Sequence, residues 1–105
     1  MAQKTIAGKT VDVNEEGYMT DPSQWTREIA AELAKEEDIA KLTEAHWKII
    51  EFLRKDSDEK GSVPSFRRLN KVGGIETKVM YDLFPGGPLK KASRIAGLTK
   101  PSSCV

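Results

Sequence analysis

Cys104 is the one cysteine of this 105-residue chain and stands one residue before its C-terminus. Its reactive form is the thiolate, and nearby positive charge favours that form. Lys90, Lys91, Arg94 and Lys100 are the nearest bases in sequence, while the terminal carboxylate at Val105 opposes them. On an exposed segment, solvent ions weaken both effects. With no second cysteine, no disulfide closes within the chain. A metal site is poorly served too: the one histidine, His46, lies far off in sequence, and no calcium-loop spacing occurs. By itself a lone thiol near a chain end reads as a stray exposed group, so a role for Cys104 needs support from its surroundings.

The overall charge of +1 conceals an asymmetry. Residues 1–60 hold 14 acids and 9 bases, a net of −5, whereas residues 61–105 hold 2 acids and 8 bases, a net of +6. The half that carries the cysteine is therefore basic and suited to an acidic partner or an anionic ligand. An isoelectric point near 7.8 is below that of a dedicated nucleic-acid binder. No apolar run approaches the roughly 20 residues of a membrane helix, and MAQKTIAGK lacks a signal-peptide core. These features lead us to expect a cytoplasmic protein.

Such a thiol needs a body to present it, and 105 residues suffice for one modest core. Thr5 to Val13 predicts two short strands around a glycine turn, with Val11 and Val13 on the buried face and Tyr18-Met19 extending the pairing. Asp21-Pro22-Ser23-Gln24 predicts a helix start, with Asp21 as cap, Gln24 completing a capping box, and Trp25, Ile29 and Leu33 on the helix that follows. That helix should fade at Glu36-Glu37-Asp38. Thr43 caps a second helix with Trp47, Ile50, Phe52 and Leu53 as its apolar stripe, and the polar run 55–61 should be its frayed end and a loop. A short third helix opens at Pro64 and stops at Gly73-Gly74. A fourth holds Ile75, Val79, Met80 and Leu83. After the turn Pro85-Gly86-Gly87-Pro88, a fifth carries Leu89, Ala92 and Ile95 and stops at Gly97. The expected fold is mainly α within the α+β class: about five helices, an N-terminal β-hairpin, and a flexible C-terminal arm. Residues 1–97 form the domain, and 98–105 the mobile arm that carries the cysteine.

The C-terminal run resembles the DsrC/TusE family, sulfur-carrier proteins related to the gamma subunit of dissimilatory sulfite reductase. The likeness is densest in Leu83-Phe84-Pro85-Gly86-Gly87-Pro88, Lys90, Ala92, Ile95-Ala96-Gly97-Leu98, Lys100-Pro101 and Cys104-Val105. It continues in Gly17-Tyr18, Gln24-Trp25, His46-Trp47, Phe52-Leu53-Arg54, Pro64, Arg67, Leu69 and Lys71. It implies that Cys104 accepts sulfur from a donor protein and passes it on as a persulfide, with no other cofactor. The implied partners are sulfur-relay proteins, ending at a tRNA-thiolating enzyme in one branch and at dissimilatory sulfite reductase in the other. The DsrC branch has a second cysteine eleven positions upstream of the penultimate one, where this chain has Ser93. That difference favours a single-cysteine, TusE-like carrier without independent small-molecule turnover. Thr99 stands where a proline is usual, which should loosen the arm.

From Gly97 to Cys104 an extended chain reaches roughly 23–25 Å, enough to enter a partner's cleft. Arg67, Lys71, Lys90, Arg94 and Lys100 are the candidate docking residues, each of which also reads as a solvated surface base. His46 and both tryptophans read as packing residues. Two further functions are open. The chain could be a gamma-subunit-like partner of dissimilatory sulfite reductase that binds through its arm, or the third and fourth helices could form a helix-turn-helix that reads DNA.

Overall fold

The computed structural model describes residues 2–100, so Cys104 and its immediate neighbours lie outside the described residues. Strands β1 (Ala2–Ile6) and β2 (Lys9–Val13) pair antiparallel, with Ala2 opposite Val13 and Ile6 opposite Lys9. The link is the two-residue turn Ala7-Gly8, and both residues have positive φ, 52° and 79°. This geometry matches the strand twist and favours glycine. Ile6, Val11 and Val13 point inward, as the alternation predicts, and a single bridge between Val13 and Met19 extends the pairing.

The next segment departs from expectation. Residues 22–24 make only one 3-10 turn, with the Asp21 carboxylate accepting from the Ser23 N–H at 3.0 Å. Trp25 is extended, and helix α1 (Arg27–Glu36) starts afresh at Thr26, whose hydroxyl accepts from the Ile29 N–H. Gln24 forms no capping box. Its side chain turns to the outer edge of β2, accepting from the Asp12 N–H at 2.8 Å and donating to the Asp12 carboxylate at 3.1 Å. The Thr20 N–H donates to the Asp12 carbonyl. An exposed strand edge is a site for unwanted pairing, and here both outward groups of Asp12 have partners.

Helix α2 (Glu44–Lys60) starts at Thr43 as predicted but runs through the segment expected to fray. Gly61 closes it in the left-handed conformation. Asp56, buried to 4% exposure, accepts hydrogen bonds of 2.7–2.9 Å from the fork of Arg68. A carboxylate taken from water needs such a partner, and this pair ties the end of α2 to α3 (Phe66–Lys71). α3 is capped by Ser65, one residue after the predicted opening at Pro64. Helix α4 (Thr77–Leu83) follows, with Met80 inward. Helix α5 (Pro88–Ile95) begins with proline at its first turn and buries Leu89, Ala92, Ser93 and Ile95 against α1, α2 and α4. One continuous core gathers Met19, Ile29, Leu33, Ile49, Ile50, Leu53, Leu69, Met80, Phe84, Leu89 and Ile95, drawn from every helix. Among the described residues, five helices on an N-terminal hairpin match the predicted architecture.

His46 is part of this framework. Its Nδ1 accepts the Thr43 N–H at 3.1 Å, so that nitrogen carries no proton. Nε2 then holds the proton and donates to the Leu83 carbonyl at 3.0 Å. The ring joins the start of α2 to the end of α4 and meets Phe84 edge-on.

Candidate functional site at the root of the C-terminal segment

The segment that leads to Cys104 leaves the body at the end of α5. A helix terminus leaves its last four carbonyls without partners inside the helix. Here all four are satisfied. Gly97, at φ 72°, reverses the chain, so the Gly97 N–H donates to the Arg94 carbonyl at 3.1 Å and the Leu98 N–H donates to the Ser93 carbonyl at 3.0 Å. This is a Schellman motif with its expected apolar residue, Leu98, packed into the core. The Trp25 indole N–H donates to the Ile95 carbonyl at 2.8 Å, and the Arg54 guanidinium donates to the Ala96 carbonyl at 2.7 Å.

The two side chains also hold each other. The Arg54 guanidinium lies 4.1 Å from the Trp25 ring centroid and donates to the Pro22 carbonyl at 3.2 Å. Burial pulls the Arg54 pKa below its ordinary value, and Asp58 opposes that pull. The positive group sits at the negative end of the α5 dipole, a favourable placement. Gly97 is required twice over: its φ is left-handed, and a Cβ there would come within 2.5 Å of the Trp25 ring. Thr26 caps α1 immediately after Trp25, which fixes the ring's backbone, and α2 carries Arg54.

At the next two residues the hold is weaker. Thr99 and Lys100 are exposed, and Lys100 has one ion pair, 3.2 Å to Glu16, with both side chains about half exposed. An open groove of about 610 Å³ flanks the root, lined by Pro22, Arg54, Asp58 and Gly61 together with Leu98 and Thr99. Leu98, the first residue of the expected arm, thus packs with the body.

The candidate docking residues divide into two groups. Arg94 is largely buried and engaged internally, donating to Glu36 at 2.6 Å, to Glu37 at 2.7 Å and to the Gly17 carbonyl at 3.4 Å. Burial works against its charge, but both glutamates outweigh burial and raise its pKa. Lys90 lines a shallow depression with Glu16, Tyr18, Glu37 and Arg94, close to the Lys100–Glu16 pair. Burial, then Glu16 and Glu37, push the Tyr18 phenol up. Arg67 and Lys71 are exposed on α3 and share no ion pair or depression with these groups among the described residues. On the expected DNA-reading pair α3 and α4, Arg68 is tied to Asp56. Ser93 is fully buried, and its hydroxyl has no hydrogen-bond partner among the described residues.

From the sequence, Trp25 reads only as a packing residue and Arg54 only as part of the family likeness. The missed signal is in the spacing: Arg54 falls four residues after Ile50 and seven after Trp47, on the inward stripe of α2. A cation on that stripe needs acceptors from outside its own helix.

Among the described residues no helix is long and apolar enough to cross a membrane. The family described as DsrC like protein matches residues 5–105. The chain is 38% identical over 105 residues to the gamma subunit of the dissimilatory-type sulfite reductase of Nitratidesulfovibrio vulgaris, with all of both chains covered. It is 38% identical over 112 residues to the sulfurtransferase TusE of Photorhabdus laumondii, again with complete coverage. Its fold superposes on the NMR structure of Allochromatium vinosum DsrC with a TM-score of 0.80 at 40% identity, covering 98% of this chain and 97% of that one. With this match and these full-length likenesses, the chain belongs to the DsrC like protein family.

Proposed function

We propose that this protein is a sulfur carrier that accepts sulfur on Cys104 and passes it on as a persulfide. The observation that carries this reading is the penultimate cysteine in a chain matched to the family through residue 105 and similar along its whole length to a protein named sulfurtransferase TusE. In loading, the Cys104 thiolate attacks the outer sulfur of a donor persulfide. The donor S–S bond breaks, the donor leaves as a thiolate, and Cys104 keeps the outer sulfur as a new persulfide, a reversible cysteine cap. An acceptor thiolate removes that sulfur by the same displacement. No external oxidant or reductant is needed, because the outer sulfur moves between equivalent groups.

In this reading residues 98–105 are the carrying arm and the rest is the body, with Leu98 as the anchor between them. From Leu98 to Cys104 the chain spans at most about 20–22 Å, a reach that suits delivery into a protein partner's cleft. Ser93 in place of a second cysteine leaves no route to an internal disulfide, which suits a one-thiol relay. The partners are a persulfide-bearing donor and an acceptor such as a tRNA-thiolating enzyme or dissimilatory sulfite reductase. Exposed Arg67, Lys71 and Lys100 and half-buried Lys90 are available to guide docking, with Arg94 holding the surface beneath. A reducing compartment, the cytoplasm, keeps such a thiol free.

A second reading makes the chain a subunit-like partner of dissimilatory sulfite reductase that binds through its arm. The full-length relative named as that enzyme's gamma subunit favours it. Intact mass after incubation with glutathione persulfide separates the two. Wild type gaining one sulfur atom, with no gain in Cys104→Ala, supports carriage. No gain in wild type overturns carriage and leaves the binding role.

A further inference from the structure

We propose that Trp25 and Arg54 are positioning residues for sulfur transfer. They clamp the last turn of α5 and thereby fix where, and in which direction, the Cys104-bearing segment leaves the body. The assignment rests on the reading of Cys104 as the sulfur-carrying thiol.

Ordinary helix ends do not need this apparatus. Carbonyls left over at an exposed terminus bond to water at little cost, and a Schellman turn already takes two of the four. Here the remaining two receive the Trp25 and Arg54 donors, which come from 70 and 42 residues away in sequence. Arg54 gives up part of its hydration to do so, although a charged side chain at a helix end can stay in water. Its fork ties three elements to one point: α5 through Ala96, the 3-10 turn through Pro22, and the link to α1 through the Trp25 ring. Trp25 in turn lies against Gly97, the residue at which the chain reverses. The clamp holds the backbone up to Leu98. Thr99 and Lys100, the last described residues, are exposed, and Lys100 pairs with Glu16.

That boundary matters because it sets the point and direction from which the cysteine-bearing segment starts. A tilt of about 30° at the root would move the tip of a segment roughly 20 Å long by about 10 Å. A partner that recognises the body and receives the thiol needs both in a set relation, since transfer falls steeply with misplacement of the reacting atoms. The clamp acts on the backbone at the root of the segment. It therefore governs delivery, and the intrinsic reactivity of Cys104 is independent of it.

The single cysteine makes the test direct. A nitroxide is attached to Cys104, and paramagnetic broadening of backbone amides is measured in wild type, Arg54→Met, Arg54→Lys and Trp25→Phe. Two sets of amides flank the root: residues 14–18, toward which Lys100 is drawn by Glu16, and residues 57–61 on the groove side. In wild type, broadening is stronger at 14–18. In Arg54→Met and Trp25→Phe the ratio between the sets falls at least two-fold, and Arg54→Lys, which keeps the charge and one donor, recovers part of it. The rate of Cys104 alkylation by iodoacetamide stays within two-fold throughout. Trp25→Phe keeps an aromatic ring on Gly97, so it serves if Arg54→Met fails to fold. Equal broadening of the two sets in wild type overturns the proposal, as does an unchanged ratio in folded variants. An unchanged ratio with normal persulfide loading overturns the clamp alone. A changed ratio in a protein whose Cys104 does not load sulfur removes transfer as its purpose and overturns the carrier reading.

Discussion

The two ends of the helical body are held very differently. At the root of the C-terminal segment every terminal carbonyl of α5 has a donor, and Trp25, Arg54, Gly97 and Leu98 interlock. The α3–α4 pair is of similar helix length, yet each of its helices buries a single residue, Leu69 or Met80. Val72, Val79 and Tyr81 remain exposed there, with Tyr81 stacked only on Phe66. Propensity does not explain the contrast, since both regions end in glycine and are rich in bases. The difference lies in how the long-range partners are spread: the α5 end receives two side-chain donors from distant elements at one point, while the α3–α4 pair shares the common core and has one tie on each helix, Arg68 on Asp56 and the Leu83 carbonyl on His46. Side-chain ties to helix-end carbonyls are concentrated where the cysteine-bearing segment departs.

Glycine substitutions at the two ends give the largest expected difference. Gly97→Ala places a Cβ 2.5 Å from the Trp25 ring at a left-handed φ and should cost about 3 kcal/mol, strain and clash together. Gly74→Ala has the same backbone handicap, φ 64°, but open space around it, and should cost about 1 kcal/mol. Urea unfolding of both variants measures the gap. Equal losses would show that Trp25 yields easily and that the root is no tighter than the α3 end.

Ser93→Ala should stabilise the protein by about 1 kcal/mol, because it removes a buried hydroxyl that lacks a partner. A loss of stability in the same unfolding assay would mean that the hydroxyl is bonded. At the loosely held end, Tyr81→Ser should change stability by no more than about 0.5 kcal/mol, as for other exposed positions. A loss several times larger would place the α3–α4 surface on a par with the root.

The smallest effect concerns the ion pairs beside the root. Burial raises the Glu36 pKa, but hydrogen bonds from Lys4 and Arg94 outweigh it, and the net shift is downward. A carboxyl depressed in the folded state stabilises fully above its unfolded pKa, and that stability is lost as pH falls through the folded value. Glu36→Gln should therefore lower stability slightly at pH 7 and make no difference in acid. Unfolding midpoints at the two pH values check the sign, and a deficit that persists in acid would assign Glu36 a packing role instead.

Much of the frame was legible in the sequence because its signals are local. Alternation at Val11 and Val13, the Ala7-Gly8 turn, Thr43 before α2, and Pro88 to Gly97 around α5 each report on residues a few positions apart. The failures share one cause, a partner far away in the chain. Gln24 was expected to cap a helix, but Asp12 of β2 takes its side chain. The run 55–61 is polar enough to fray, yet Asp56 finds Arg68 twelve residues on, and α2 continues to Lys60. Arg94 is basic in the sequence but is neutralised by Glu36 and Glu37 from α1 and its cap. The thiol was named from residue type, position and family likeness. The clamp behind it needed three-dimensional contacts, because Trp25, Arg54 and Ile95–Ala96 lie on separate elements.

The central claim is that sulfur travels on Cys104, and sulfur transfer followed atom by atom tests it most directly. Protein loaded from a persulfide donor labelled with heavy sulfur is fragmented, and the label is located by mass. The account predicts one labelled atom on the fragment containing Cys104, removed by an added thiol and absent from Cys104→Ala. A wild-type protein that takes up no label from a competent donor, or a Cys104→Ala variant that takes up as much, would contradict it.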